Sequence, residues 1–142
     1  MAKYTAIKTE HEKRYAELFD QCGVFWAFSN EQFAEGKAKH PIPEDEKYVS
    51  IGAGGFLPKS NFDALQTGLT AIKKWKTQAM KEVKAEEAIL YELNNYEAFY
   101  SGELDDVFDA LDGKYTADEI RTVYRKYQSR GGLVAISNEG SL

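Results

Sequence analysis

The sequence is poor in several features that mark common classes of protein. Its 142 residues include one cysteine, Cys22, which excludes an internal disulfide and any metal site built from cysteines. It has three prolines, and no linker rich in Pro, Gly or Ser divides it, so we predict a single domain over residues 1–142. No apolar run approaches the ~18 residues of a membrane span, and the charged N-terminus lacks the apolar stretch of a secretory signal. We therefore expect a cytoplasmic protein that does not enter a membrane.

What the sequence does contain indicates a folded core. Hydrophobic residues make up 43% of the chain, with nine tyrosines and eight phenylalanines, which argues against intrinsic disorder. Strand-favouring side chains predict a buried strand over Val24–Phe28. Tyr48–Ile51 and Phe56–Leu57, joined by the glycines of Gly52–Gly55, predict a β-hairpin.

Apolar residues at alternating steps of three and four predict helices over much of the remaining chain. Two helix starts, Ser60–Asp63 and Thr116–Glu119, carry the S/T-x-x-D/E capping pattern. The predicted helices are residues 10–20, a helix capped by Ser29 or Asn30 and limited by Gly36, residues 61–96 as one helix or as two joined near Lys84, Leu104–Leu111, and Thr116 to about Gln128. The fold class is therefore α+β, predominantly helical, with a small sheet in the N-terminal half. The ends, about 1–6 and 130–142, are expected to be flexible, although Leu133–Ile136 also fits a strand.

The net charge of −5 conceals a strong segregation along the chain. Residues 71–84 contain five lysines and one glutamate, whereas residues 85–112 contain nine Asp or Glu and no Lys or Arg. The carboxylates of this acidic stretch must face water, pair with the lysines, or meet a basic partner. A solvated acidic face near the lysines is the structural interpretation. The functional interpretation is an electronegative surface that docks a positively charged protein, since such fields select partners and speed association.

Aromatic side chains lie among these acids, and such a cluster can line a pocket or form an interface hot spot. In the alternative interpretation the same aromatics close the core. A third hypothesis is self-association, in which the lysine-rich segment of one copy meets the acidic stretch of another and forms a homo-oligomer. We expect the partner-binding residues to be Glu92, Tyr96, Glu97, Tyr100, Glu103, Asp105, Asp106 and Asp109.

A second arrangement has a physical case for binding a phosphate compound such as a nucleotide. Glycines allow close backbone approach, Lys59 supplies a cation, and a helix N-terminus offers free N–H groups. The spacing is neither a P-loop nor a G-x-G-x-x-G fingerprint, and a hairpin turn followed by an ordinary capped helix also explains it. The expected ligand-binding residues are Trp26, Gly52, Gly54, Gly55, Phe56, Lys59, Ser60 and Asn61.

No pattern in the sequence predicts catalytic residues, a cofactor or a metal site. Neither His11 nor His40 has a second histidine at i+4 or a carboxylate in a known ligand pattern. The acids of residues 103–109 lack EF-hand spacing, and there is no G-x-S-x-G elbow. The last two predicted helices resemble a helix-turn-helix with basic residues on the second helix. The acidic balance of the chain nevertheless argues against DNA binding.

Three blocks, taken in order, carry a resemblance to a known family. They are Phe25–Phe33 (FWAFSNEQF), Val49–Phe56 (VSIGAGGF) and Tyr91–Tyr100 (YELNNYEAFY). Together they resemble a family of small uncharacterised proteins from bacteria, phages and other mobile elements, over residues 20–127. The resemblance implies a cytoplasmic accessory protein that works by binding, including inhibition of host defences or capture of their nucleotide signals. It implies no catalytic residue or cofactor.

Overall fold

A computed structural model describes residues 2–111 and 113–130 of the chain. These residues form an α+β, mostly helical structure with a small antiparallel sheet, which confirms the predicted fold class. The contacts between α-carbons divide the chain into two compact units. The sheet unit is Thr9–Thr77, and the helical unit is formed by the residues up to Lys8 together with those from Gln78 onwards. The predicted strand Leu133–Ile136 and the C-terminal end from residue 131 lie outside the described residues.

Among the described residues, all three strands lie in the first half of the chain, and only helices follow them. The two-helix option for residues 61–96 is correct, because the chain turns at residues 81–84. The strands are β1 (Phe25–Trp26), β2 (Tyr48–Gly52) and β3 (Gly55–Pro58). The helices are α1 (Ala2–Gln21), α2 (Asn30–Lys39), α3 (Phe62–Met80), α4 (Ala85–Asn95), α5 (Ala98–Ser101), α6 (Asp105–Leu111) and α7 (Ala117–Gln128).

The sheet unit contains the three strands in the order β1-β3-β2, with antiparallel neighbours. The predicted hairpin about Gly52–Gly55 is confirmed and joins β2 to β3. Strand β1 is shorter than the predicted strand over residues 24–28. The reason is that the N–H of Val24 donates to the carbonyl of Phe19 at the end of α1, and not to a neighbouring strand.

Helix α2 contains a glycine that packing requires. The Oγ of Ser29 accepts a hydrogen bond from the N–H of Gln32 at 3.1 Å and caps the helix, as predicted. Gly36 was expected to limit the helix, but α2 continues to Lys39. The ring of Phe25 fills the space beside Gly36, where a Cβ would lie 2.0 Å from the ring carbon Cδ2. Gly36 is therefore a point of close contact with β1 and not a helix end.

Helix α3 closes the core of the sheet unit. Its Leu65 is buried in a cluster with Leu57 of β3 and with Cys22. A 3₁₀ turn over Lys59–Asn61 precedes the helix. In the predicted capping pattern, the side chain of Asp63 would accept a hydrogen bond from the N–H of Ser60. In the structure, that N–H donates instead to the carboxylate of Glu46, in the loop before β2.

The helical unit has its own core, built from α4, α6 and α7 with the start of α1. Leu93, Val107 and Ile120 are completely buried at its centre. The predicted capping box of α7 is confirmed. The N–H of Glu119 donates to Thr116 Oγ1 at 3.1 Å, and the N–H of Thr116 donates to Glu119 Oε1 at 2.8 Å.

The N-terminal end, which we expected to be flexible over about residues 1–6, is helical from Ala2. Helix α1 begins at Ala2, and Tyr4 is buried in the helical unit. The ring of Tyr4 packs edge-on against Tyr91 at a centroid distance of 5.3 Å. The N–H and hydroxyl of Tyr4 also bond to carboxylates of α4, so this end of the chain is held by packing and hydrogen bonds.

Candidate functional site

The acidic stretch divides into two groups, the carboxylates of α4 and those that follow it. On α4, Glu86 accepts hydrogen bonds from Lys126 Nζ at 2.7 Å and from the Tyr127 hydroxyl at 3.0 Å. The bond from Lys126 lowers the pKa of Glu86 below its usual value, and it raises the pKa of Lys126. Glu87 accepts a hydrogen bond from the backbone N–H of Tyr4 at 3.0 Å. The carboxylates of α4 are therefore engaged within the helical unit.

Glu92 does not lie on the surface, contrary to the exposed position that its predicted role as a partner-binding residue requires. It is 1% exposed. Its Oε2 accepts hydrogen bonds from Lys8 Nζ at 2.7 Å and from the Tyr4 hydroxyl, and its Oε1 accepts one from Asn95 Nδ2 at 3.2 Å. A carboxylate is buried only when it is paired and hydrogen-bonded in this way. Burial and the hydrogen bond to Glu92 together raise the pKa of Tyr4 far above its usual value.

The short helix α5 presents Tyr100 to solvent. Glu97 precedes α5 and Gly102 follows it, both in the left-handed conformation, with φ of +54° and +79°. The adjacent Phe99 stacks on Tyr124 of α7, with ring centroids 5.2 Å apart and planes 7° from parallel. Tyr100 is 93% exposed. The exposed ring therefore stands on a helix that its neighbour fixes to the core.

Helix α6 has an apolar inner face and an acidic outer face. Val107 and Leu111, one turn apart, are buried against the core. Asp105, Asp106 and Asp109 are exposed. Asp105 and Asp106 also lie in the first turn of α6, where the helix dipole favours negative charge. The fold thus holds these three carboxylates in water without burying any of them.

The remaining members of the predicted partner-binding set are all exposed, and we call them the acidic face. Within residues 2–111 and 113–130, no lysine or arginine nitrogen lies within 4.0 Å of its carboxylates. Within the helical unit, Lys81 and Lys84 therefore do not neutralise it, and Lys8 and Lys126 pair with acids of α4 instead. The acidic face consists of Tyr96, Glu97, Tyr100, Glu103, Asp105, Asp106 and Asp109.

Aromatic rings pack against two of the glycines of the predicted phosphate site. A Cβ on Gly54 would lie 2.3 Å from Cε1 of Phe28, and one on Gly55 would lie 2.7 Å from Cζ3 of Trp26. Gly52 alone of the three has open space where a Cβ would be. The close backbone approach that these glycines permit is thus used by side chains of the sheet unit itself.

The other residues of that predicted site are also engaged, with one exception. The N–H of Ser60 donates to Glu46 Oε1 at 2.8 Å, and the hydrogen bonds from Ser60 lower the pKa of Glu46. The Nδ2 of Asn61 donates to the backbone carbonyl of the residue after α1 at 2.9 Å. The ring of Phe56 packs against two other phenylalanine rings. Lys59 is exposed.

Phe28 is an exposed aromatic residue that belongs to neither predicted site. It is 76% exposed, and Trp26, two positions before it, is 48% exposed. The signal that could have found it is the spacing, because residues two apart on the predicted strand over residues 24–28 would lie on the same side. Nearby, the imidazole of His40 stacks on the ring of Phe25, with ring centroids 5.7 Å apart.

The described residues contain no group of three or more His, Cys, Asp or Glu side chains placed to hold a metal ion. Across those same residues, every helix is too short or too polar to cross a membrane. A comparison with curated proteins found no match, and neither did a comparison with solved structures. A family model, however, matches residues 7–130, which is most of the chain. The chain therefore belongs to the Family of unknown function (DUF7659).

Proposed function

We propose that this protein acts by binding a partner protein that presents a basic surface, and that the acidic face is the contact. The observation that carries the proposal is Tyr100, which is 93% exposed on a packed helix among carboxylates that have no lysine or arginine partner within the described residues of the helical unit. Tyrosine is one of the residues that contribute most to interface affinity when a partner covers it. Unpaired carboxylates around it attract a cationic patch and speed association.

The acidic face is formed before any partner arrives. The Phe99 ring on Tyr124 fixes α5, and Arg121 lies over the ring of Phe108 on α6 at 5.5 Å. Since both helices are held by α7, binding does not require the ordering of a loop. A preformed surface loses less conformational entropy on association than a mobile one, so a smaller interface area suffices for a given affinity.

We extend the proposal to the setting of the protein. The three sequence blocks resemble proteins of bacteria, phages and other mobile elements, and this resemblance supports a cytoplasmic accessory protein. A role as an inhibitor of a host system agrees with binding through a charged surface, because occupying a basic site on another protein requires no catalytic group. Membership of the family does not itself carry this role.

A phosphate compound bound at residues 52–61 is the alternative proposal. Exposed Lys59 and the open space beside Gly52 support it. The carboxylate of Glu46 weighs against it, because it already accepts the N–H of Ser60 that an anion would use. A phosphate there would have to displace a carboxylate, so the acidic face is the better-supported site.

Capture from a host lysate, followed by affinity measurements on the captured protein, tests the main proposal. We expect Tyr100→Ala and Asp105→Asn/Asp106→Asn each to weaken binding about tenfold or more, since hot-spot and charge contacts both lie there. Asparagine is chosen because it keeps the shape of aspartate in the first turn of α6. Asp63→Asn, which changes an exposed aspartate in the first turn of α3, is the matched control and should leave binding unchanged.

Salt provides the second measurement. The affinity should fall as ionic strength rises, because exposed charges are screened. If the variants bind as tightly as the wild type, or if salt has no effect, the acidic face is not the contact. Calorimetric titration with a nucleoside triphosphate tests the alternative, which predicts binding that is tighter in Glu46→Gln and lost in Lys59→Ala.

A further inference from the structure

Lysine and arginine are absent from two long stretches of the chain, residues 15–36 and residues 85–113. Cations from outside these stretches cover several aromatic rings, as where the guanidinium of Arg14 lies 4.1 Å from the ring centroid of Trp75 and that of Arg121 lies 5.5 Å from the ring centroid of Phe108. The two base-free stretches hold all the large hydrophobic side chains that the described structure leaves exposed, namely Trp26 at 48%, Phe28 at 76%, Tyr96 at 41% and Tyr100 at 93%. The tyrosines belong to the acidic face, whereas Trp26 and Phe28 lie in the sheet unit and have no role in it.

The rings of Trp26 and Phe28 are held in place by the hairpin. Each rests on a glycine of the turn, Trp26 on Gly55 and Phe28 on Gly54, at distances where a Cβ would clash. The backbone between them is also fixed, because the N–H of Ala27 donates to the carbonyl of Gly54 at 2.8 Å. The backbone therefore supports one side of each ring, and the exposed surface of the pair is preformed.

The charges along this stretch favour a cationic ligand. The hairpin, residues 48–58, carries no charged side chain, and among the described residues only one acid of residues 15–36, Glu17, has a lysine or arginine nitrogen within 4.0 Å, that of Lys13 at 3.9 Å. Negatively charged side chains attract lysine and arginine and repel the phosphates of a nucleic acid. Aromatic faces add to this preference, because a cation over a ring is attracted by its quadrupole. The acids, all exposed, are Glu17, Asp20, Glu31 and Glu35.

We propose that Trp26 and Phe28 form a second binding surface, the aromatic shelf, for an extended segment of a partner protein that carries arginine or lysine. The guanidinium or ammonium group stacks on the open side of a ring, and the carboxylates of Glu31 and Glu35 on α2 attract the charge. The aromatic shelf requires the same partner chemistry as the acidic face. It uses different residues in a different unit, so either surface can fail in experiment without the other.

A fluorescence titration tests the aromatic shelf directly. The protein has two tryptophans, so Trp75→Phe leaves Trp26 as the only tryptophan reporter. The probe is a capped peptide of alternating arginine and glycine, and its control replaces each arginine with citrulline, which keeps the shape and removes the charge. We expect a saturable change in Trp26 emission with the arginine peptide, and binding about tenfold weaker with the citrulline peptide.

Variants separate the aromatic shelf from the acidic face. In the Trp75→Phe background, Phe28→Ala should weaken the arginine peptide about tenfold, and Glu31→Gln/Glu35→Gln should weaken it several-fold. Tyr100→Ala should leave the titration unchanged. The proposal is overturned if emission shows no saturable change, if citrulline binds equally, or if Tyr100→Ala and not Phe28→Ala abolishes binding. Sedimentation that shows a dimer lost in Phe28→Ala would also overturn it, since a second copy would then be the occupant.

Discussion

The hydroxyl of Tyr4 donates a hydrogen bond to the carboxylate of Glu92, although 88 positions separate the two residues. The same carboxylate oxygen accepts a hydrogen bond from Lys8 Nζ at 2.7 Å. Tyr4 and Lys8 are one turn apart on α1, so a single buried carboxylate joins the start of this helix to α4 within the helical unit. The contact also removes Glu92 from the charge available to a partner.

Replacing Glu92 by alanine should strongly destabilise the protein. The change leaves the buried Tyr4 hydroxyl without its acceptor and removes a hydrogen bond to a charged group. We expect the free energy of unfolding, measured by urea denaturation, to fall by about 2–3 kcal/mol. Glu103→Ala, which removes an exposed carboxylate, should change it by less than about 0.5 kcal/mol. Equal losses in the two variants would show that the Glu92 network adds nothing.

The ion pair of Glu86 and Lys126 should make stability depend on pH in a predictable direction. The pKa of Glu86 is lowered from 4.5, so its contribution is present above that value and is lost as the pH falls through the folded-state pKa. The pKa of Lys126 is raised from 10.5, so its contribution is present below that value and is lost as the pH rises through the folded-state pKa. Both contributions are complete between about pH 5 and pH 10.

The measurement compares the free energy of unfolding of the wild type and Glu86→Gln across this range. The difference between them should be constant near neutral pH and should shrink in acid as Glu86 becomes protonated in the wild type. Glu12→Gln changes an exposed glutamate of α1, and the difference in the free energy of unfolding between this variant and the wild type should not shrink in acid. A Glu86 difference that stays constant into strong acid would contradict the pairing.

Local features of the fold could be predicted from the sequence because their causes lie within a few residues. The capping box of Thr116 and Glu119 and the cap at Ser29 depend on side chains that reach backbone groups three positions away. The hairpin likewise depends on glycines that adopt positive φ within the turn, such as Gly54 at +83°. Helix α5 was not predicted, since it is one turn long and begins after Glu97, a non-glycine residue with positive φ.

The candidate site could be predicted only in part, because exposure depends on contacts between distant segments. Charge segregation identified the acidic stretch, and the members from Tyr96 to Asp109 are indeed exposed. No spacing rule shows that Glu92 meets Tyr4, or that Lys126 and not a nearby lysine meets Glu86. Phe28 was not predicted despite its spacing of two from Trp26, since aromatic residues in a predicted strand are usually buried.

Cys22 should resist modification in the folded protein. It is 4% exposed, and burial raises the pKa of its thiol, so little reactive thiolate is available. We expect an aromatic disulfide reagent to modify the native protein at least about a hundredfold more slowly than the urea-unfolded protein, since reaction requires local opening. A model thiol measured in the same urea corrects for the solvent. Similar rates in the two states would show that the cluster around Cys22 is open to solvent.

Gly36 provides a prediction in which two physical effects have opposite signs. Alanine normally stabilises the interior of a helix by about 1 kcal/mol relative to glycine. At Gly36 we expect Gly36→Ala to lower the free energy of unfolding by about 1–3 kcal/mol, because its Cβ would lie 2.0 Å from the Phe25 ring. Ala38→Gly, at an exposed position of the same helix, measures the propensity term alone and should cost about 1 kcal/mol. In a Phe25→Ala background the clash is gone, so Gly36→Ala should become stabilising there.

If Gly36→Ala stabilised the wild-type protein, the Phe25 ring would be able to move away from residue 36 at no cost. The packing of β1 against α2 would then not require a glycine at this position.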